Sequence, residues 1–355
     1  MSTVVDPTRL TTFGARVLGH LGVPEHDAEL VADSLVVADL WGHESHGMLR
    51  LAWYAARLRS GVMAPVTAPT LVSDLGAVAV MDGHDGVGQV VVERACTQAV
   101  SRANEHGVGV VAVRNSNHFG TAGYWTRRMA DAGCVGILTT NGSPAMAPWG
   151  GTEKTVGANP WSIATPGGNH PSVVLDIANT GVARGKVYAA AQRGESIPET
   201  WALDEDGAPT TDPHAAIAGL IAPMAGHKGY GISFLMDVLS GVLTGSGIAT
   251  DVAGPYVPDR PSRCGHLVVA IRIDALLPRE EFDARIDDLI ARTKSVPRAT
   301  GVEEIFYPGE IEVRAEAARR RDGGVRLPDQ TVADLRELGG SCGVSFDRII
   351  SEVVV

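Results

Sequence analysis

Apolar positions in this chain change period as the sequence advances. From Pro7 to His20 they recur at helical spacing, with Leu10, Phe13, Val17 and Leu21 on one side, Asp6 placed to cap and Pro7 in the first turn. Glu25 to Leu40, started by Pro24, and Met48 to Leu58, ending near Gly61, read as two further helices. Pro65 and Pro69 then break the pattern. The run Val78-Ala79-Val80-Met81 opens a strand-bearing region and is followed by turn glycines at 83, 86 and 88.

Beyond that turn, helix and strand alternate. Val90 to His106 reads as a long helix and Gly109 to Val113 as a buried strand that ends at Asn117-His118. Thr121 to Ala132 is helical, Val135 to Thr139 a strand ending at Asn141-Gly142-Ser143, and Pro171 to Ala178 a strand terminating at Asp176. Gly181 to Gln192 reads as a short helix, Lys228 to Thr244 as an apolar helix, Leu267 to Ile271 as a strand and Arg279 to Thr293 as an amphipathic helix. Glu310 to Arg321 and Pro328 to Leu338 return to helix. The order predicts an α/β chain with a central sheet domain and helices contributed by both termini.

Composition narrows the partners. The 355 residues are 45% hydrophobic and 20% charged, enough for a large core. A formal net charge of -11 argues against nucleic acid or an acidic membrane as partner, since neither would meet a compensating basic face. Cys96, Cys134, Cys264 and Cys342 are scattered without a paired spacing, and are expected as reduced thiols. No apolar leader is visible after Met1, and the most apolar stretch, about Ile232 to Leu243, is interrupted by Asp237 and shorter than a membrane span. A cytoplasmic protein is expected.

Three distant segments place ionisable side chains between glycines: Ser45-His46-Gly47 with Arg50, Asn117-His118-Phe119-Gly120, and His227-Lys228-Gly229. On a helix starting near Gly47, His46 and Arg50 share a face, so an imidazole for proton exchange would sit beside a guanidinium fork for a carboxylate. The alternative is a solvated helix cap. His118 and Asp176 end apolar strands, where loops commonly carry function; a satisfied core histidine is the competing reading of the first. Asp176 could orient a histidine or meet a cofactor. Lys228 opens a helix, where charge and free N–H groups together suit a phosphate. The loop carrying Ser143 could offer backbone donors to a ligand, or serve as an ordinary turn.

Some chemistries lack their parts. No Gly-x-Gly-x-x-Gly follows a strand, so a conventional Rossmann dinucleotide site is not expected. A P-loop, a Gly-x-Ser-x-Gly elbow and a metal cluster are also missing; His43-Glu44-Ser45-His46 is one residue too short for the zinc motif.

Taken together, Ser45-His46-Gly47-Met48-Leu49-Arg50, Asn117-His118-Phe119-Gly120, Pro148-Trp149-Gly150-Gly151 through Gly157-Ala158-Asn159-Pro160, Asp176-Ile177-Ala178, Lys228-Gly229-Tyr230-Gly231 and Tyr307-Pro308-Gly309-Glu310 resemble the malate/L-lactate dehydrogenase type 2 group. That group also includes ureidoglycolate, sulfolactate and diketogulonate enzymes and cyclic imino-acid reductases. The resemblance covers nearly the whole chain. It implies a homodimeric NAD- or NADP-dependent oxidoreductase whose nicotinamide domain, residues 76–307, is a mainly antiparallel, non-Rossmann sheet. Residues 1–75 and 308–355 would form a helical region on the dimer and substrate side. His118 and His46 would flank the reacting carbon, with Asp176 as a further catalytic group, and Ser45 and Arg50 would bind a small anionic carboxylate substrate. Ser143, Asp176, Ile177, Ala178, Lys228, Gly309, Glu310 and Ile311 match cofactor contacts. Asn179, where many relatives carry Thr or Ser, departs from the pattern. The reaction implied is hydride transfer between a 2-hydroxy acid and the nicotinamide; reduction of a cyclic imino acid, or a binding protein without catalysis, are the alternatives.

Overall fold

A computed structural model describes residues 2–351 of the chain; the expected helical region also spans residues 1 and 352–355, which lie outside them. Its centre is a seven-stranded sheet in the order Thr70–Asp74, Val78–Asp82, Val108–Ser116, Cys264–Arg272, Cys134–Thr140, Trp161–Gly167 and His170–Ile177. One neighbouring pair, 78–82 with 108–116, is parallel and joined by the helix Gly88–His106; the other pairings are antiparallel. The expected mainly antiparallel sheet is therefore present.

Strand direction has a direct consequence for function. The 264–272 strand is antiparallel to both 108–116 and 134–140, so those two run the same way. By the same logic 170–177, paired to 134–140 through 161–167, runs with them. Their C-terminal ends thus emerge at one end of the sheet. The segments leaving there carry His118, Ser143 and Asp176-Ile177-Ala178.

Alternation along each strand builds the two faces. Val111, Val113, Leu138, Val268 and Ala270 share a core with Val91, Ala95 and Ala99 of the 88–106 helix and Trp125 and Met129 of the helix Ala122–Asp131. Gly109 lets the long helix approach closely: a Cβ there would lie 2.0 Å from the Ala99 carbonyl oxygen. Thr139 points to the opposite face, where its hydroxyl bonds Ser240 at 2.8 Å. The segment packed on that face is not the continuous α-helix expected. It is an α-helix over His227–Asp237 followed by a π turn over Val238–Val242. Close backbone approach accompanies the change, since a Cβ on Gly265 would sit 1.7 Å from the Ser240 carbonyl oxygen.

Both ends of the chain contribute to another core. Leu10, Phe13, Leu35, Leu51, Tyr54, Leu335 and Phe346 belong to it, with the Phe13 and Phe346 rings edge-on at 5.0 Å. Several elements escaped the sequence reading. Ser2–Val5 pairs antiparallel with Val325–Pro328, Trp161–Gly167 is an interior strand of the sheet despite its glycine- and proline-rich surroundings, and Thr70–Asp74 is a sheet edge inside the region expected to be helical. That edge strand is exposed along its whole length, so no apolar alternation marks it. No helix among the described residues is long and apolar enough to cross a membrane, and the four cysteines are free and buried.

The packing makes a paired stability prediction. Gly109→Ala should cost about 1–3 kcal/mol, as overpacking does. Gly231→Ala, where no atom lies within 4 Å of the added carbon, should be neutral or stabilising. Equilibrium denaturation of both variants checks this; equal effects would contradict the close strand–helix contact.

Candidate active site

The residues 44–50 form two successive 3-10 turns, Glu44–His46 and Met48–Arg50, ahead of the α-helix Leu51–Ser60. This corrects the expected helix start at Gly47, and the reason lies beneath it. The Asp39 carboxylate rises from the helix Glu25–Trp41 to accept the Met48 N–H at 2.8 Å. A Cβ at position 47 would stand 1.9 Å from that carboxylate, which makes glycine obligatory. The turn still brings Ser45, His46 and Arg50 together. Ser45 Oγ bonds His46 Nδ1 at 2.9 Å, and Arg50 Nε donates to the Ser45 carbonyl at 2.5 Å.

Arg50 is set as an open fork. Its guanidinium carbon stacks 4.1 Å from the Trp53 ring centroid, and with Nε bound to Ser45 its two terminal nitrogens have no protein partner among the described residues. Two donors are left parallel, the geometry that grips a carboxylate.

His118 meets this group from the sheet end. Its ring stacks on His46 with centroids 5.5 Å apart and 21° between planes. Its Nδ1 contacts the Tyr54 hydroxyl at 2.7 Å and receives the Gly120 N–H at 3.3 Å; Nε2 has no protein partner among the described residues. Burial first, then the charges of Arg50 and His46, hold the His118 imidazole well below its ordinary pKa. Burial, with Arg50 and His43 adding, pushes His46 down to about 3. Without a ligand this cluster repels protons; an anion on Arg50 would cancel part of that repulsion.

Sequence reasoning missed two residues that build the cluster. Tyr54 and Arg57 are almost wholly buried. Arg57 donates to Asn117 Oδ1 and Ser262 Oγ, both at 3.0 Å, and to the Val257 carbonyl, pinning the His118 strand end and the 254–262 loop to one helix. The signal was present: Arg50, Tyr54 and Arg57 recur at steps of four and three, the period of one helix face.

The other expected residues divide. Ser143 Oγ reaches the Tyr256 hydroxyl at 3.4 Å, and Tyr256 packs edge-on against Trp53 at 5.8 Å, which ties the Ser143 loop to the Arg50 side. Asp176, Ile177 and Gly309 line a cavity of about 190 Å³ together with Trp41, Arg127 and Glu312. Asp176 Oδ2 accepts the Gly123 N–H at 2.7 Å and so caps the helix that follows the His118 loop. Burial raises its pKa, opposed by that N–H and by His43, and no hydrogen bond links it to either stacked histidine. Ala178 is exposed. Asn179 is buried, with its amide bonding the carbonyls of Ala158 and Asn159 and the Trp161 indole.

Lys228 is exposed in the first turn of the 227–237 helix, whose start has no side-chain cap. Ile311 is exposed as well, at 55%. The Glu310 carboxylate is already engaged, taking Lys294 Nζ at 2.6 and 2.7 Å and Arg314 at 2.5 Å, and its backbone N–H donates to the Tyr307 carbonyl at 3.2 Å. Among the described residues no cluster of His, Cys, Asp and Glu could hold a metal ion.

These residues fit a nicotinamide dinucleotide. A largely apolar cavity beside a strand-end carboxylate, an unpaired ammonium at an open helix start, and open space beside Gly120 and Gly142 supply walls, charge and clearance. The sequence pattern of the malate/L-lactate dehydrogenase family matches residues 5–336. The L-sulfolactate dehydrogenase of Methanocaldococcus jannaschii is 40% identical over 334 residues, 94% of this chain and 96% of that one. Its solved structure superposes with a TM-score of 0.93, covering 97% of this chain and 99% of the other at 39% identity. The (2R)-3-sulfolactate dehydrogenase (NADP(+)) of Chromohalobacter salexigens is 36% identical over 95% of this chain and 98% of its own length. For the ureidoglycolate dehydrogenase (NAD(+)) of Escherichia coli O157:H7 the figures are 35%, 81% and 82%.

Asp39 yields a pH prediction. Burial, reinforced by Glu44, pushes its carboxyl up to about 7, against the Met48 N–H and Arg319. The folded chain therefore keeps this proton to higher pH than the unfolded chain does, so its contribution to stability falls as pH rises from about 4 to about 7. Asp39→Asn keeps an acceptor for Met48 and removes the titration. Thermal melts should show the variant gaining more over the native protein at pH 8 than at pH 4; a gain independent of pH would contradict the assignment.

Proposed function

Because the chain belongs to the malate/L-lactate dehydrogenase family, we propose that it oxidises a small 2-hydroxy acid with NAD or NADP, and that His118 carries the proton while Arg50 holds the substrate carboxylate. The observation that carries this reading is the pairing of an open arginine fork with two stacked imidazoles at the end of the sheet. A carboxylate on Arg50 sets the adjacent carbon beside the rings. Its hydroxyl then donates to His118 Nε2, the nitrogen free of protein partners.

The nicotinamide, when bound, accepts the hydride from C2. What the chain supplies is orientation and proton transfer. Arg50 fixes the acid, His118 takes the hydroxyl proton, and His46, held by Ser45, stacks beside it and limits where the substrate oxygen can lie. Substrate charge on Arg50 removes part of the repulsion that keeps His118 unprotonated, so proton acceptance is favoured once the acid is seated. Asp176 and Gly309 form the cofactor wall in this reading, with Ser143 and Lys228 binding its polar parts. The free, buried cysteines suit a reducing cytoplasm; fractionation with a tagged chain tests that location.

We further infer a homodimer. Phe234 and Leu235, and two turns later Val242 and Leu243, are each more than half exposed on the 227–243 segment, an apolar stripe that a second copy would cover. Light scattering should give a dimer for the native chain and a shift toward monomer for Leu235→Glu. A native monomer would contradict this.

Kinetics test the main reading. His118→Ala should lose about 10² to 10⁴ in turnover, the usual worth of positioned acid–base catalysis. Arg50→Ala should act chiefly by raising KM. The assay pairs malate, lactate, sulfolactate, ureidoglycolate and cyclic imino acids with both cofactors in both directions. Near-native oxidation by both variants would overturn the site assignment; activity confined to imino acids would overturn the substrate class.

A further inference from the structure

The 254–262 loop is restrained on both sides of one exposed ring. Its base closes where the Ala253 N–H donates to the Ser262 carbonyl at 3.0 Å, and the Val257 N–H turns back to the Gly254 carbonyl at 3.0 Å. Arg57 donates to the Val257 carbonyl and Ser60 Oγ to that of Pro258, so the helix 51–60 grips the loop just beyond Tyr256. The Tyr256 side chain is nevertheless 57% exposed. A fixed backbone that presents an uncovered ring is suited to contact a ligand at a set position.

Three contacts place that ring. Its edge meets Trp53 with centroids 5.8 Å apart and 75° between planes, its hydroxyl lies 3.4 Å from Ser143 Oγ, and the Gly254 backbone runs against it. A Cβ at 254 would come within 2.4 Å of the ring and 2.9 Å of Ser143 Oγ, so glycine is what lets the two approach. Trp53 in turn carries the Arg50 guanidinium 4.1 Å from its centroid. Two aromatic rings therefore run from the carboxylate fork to the Ser143 loop.

We propose that Trp53 and Tyr256 are specificity-determining residues whose rings form the wall for the side group of the 2-hydroxy acid, selecting an apolar group over a second acidic one. This rests on the reading of Arg50 and His118 given above. With the carboxylate on Arg50, the hydroxyl on His118 and the C2 hydrogen facing the nicotinamide, the side group takes the one remaining direction at a tetrahedral carbon. Buried Tyr54 and the stacked histidines close the inner side, which leaves the exposed rim where the two rings stand. Apolar carbon laid on them leaves water favourably, by about fourfold in binding per methylene. A carboxylate or sulfonate there loses hydration, and the Arg57 terminal nitrogens are already committed to Asn117, Ser262 and Val257.

Steady-state kinetics on the full chain at saturating cofactor test this. The substrates are 2-hydroxybutyrate, malate and sulfolactate, and oxalate, which has no side group, serves as competitive inhibitor. The native chain should favour 2-hydroxybutyrate over both diacids in kcat/KM. Tyr256→Ala should lower kcat/KM for 2-hydroxybutyrate about tenfold, chiefly through KM. Oxalate inhibition should stay within about twofold of native, and the pH profile of kcat should not move, because neither Arg50 nor His118 is altered. Tyr256→Phe should keep the native ranking, since the ring makes the wall. Gly254→Ala, which displaces the ring without removing it, should reproduce the Tyr256→Ala pattern and serves in its place if that variant does not fold. A native preference for malate or sulfolactate, or an equal loss for oxalate and 2-hydroxybutyrate, overturns the proposal. Native-like turnover in His118→Ala and Arg50→Ala instead marks failure of the underlying site assignment, and removes the wall's premise with it.

Discussion

Every relation among the functional side chains depends on strand direction in the central sheet. Two strands, 161–167 and 264–272, each lie antiparallel between neighbours that must then run together. Three C-terminal ends are thereby delivered to one end of the sheet, and with them His118, Ser143 and Asp176. Reversing one interposed strand would send one of these loops to the opposite end. The sheet collects catalytic loops as open parallel sheets do, but by pairing like-directed strands across antiparallel partners rather than through repeated crossovers. No glycine-rich phosphate loop is required by this arrangement.

What the sheet brings close, a small set of buried polar groups holds in place. Asp39 lies under the 44–50 turn and compels glycine at 47. Arg57 joins the end of the His118 strand to the 254–262 loop. Asn141 links the 134–140 strand to Asp237 and Gly247 across the sheet face. Such groups are stabilising only when their partners are present, so each ties the site to the fold around it. The exposed Lys228 and the terminal nitrogens of the partly buried Arg50 are by contrast left without protein partners among the described residues, as ligand-binding groups need to be.

Much of this was legible from the sequence because apolar strands and helices announce themselves by period. The run from Val108 to Thr140 was read nearly element for element, and the glycine-flanked histidines were recognised as site candidates from local pattern alone. The antiparallel character of the sheet came from resemblance, since periodicity does not encode which strand lies beside which. The edge strand 70–74 stayed hidden because it is exposed on both faces, and Ser2–Val5 because its partner lies more than three hundred residues away. The π turn after Asp237 arises where the segment presses on Gly265, a contact that no local window contains. Tyr54 and Arg57 looked like ordinary helix residues; their roles come from tertiary partners.

The account turns on one proposition, that a carboxylated carbon is held between the Arg50 fork and the His118 ring at the end of this sheet. A crystal structure of the chain with NADH and oxalate, which presents a carboxylate beside a second oxygen as a 2-oxo acid does, tests it most directly. The expected complex has one carboxylate paired with both terminal nitrogens of Arg50 and an oxygen of the other within about 3 Å of His118 Nε2. Oxalate bound away from Arg50, or with His118 turned from it and bonded only to protein, would contradict the central claim.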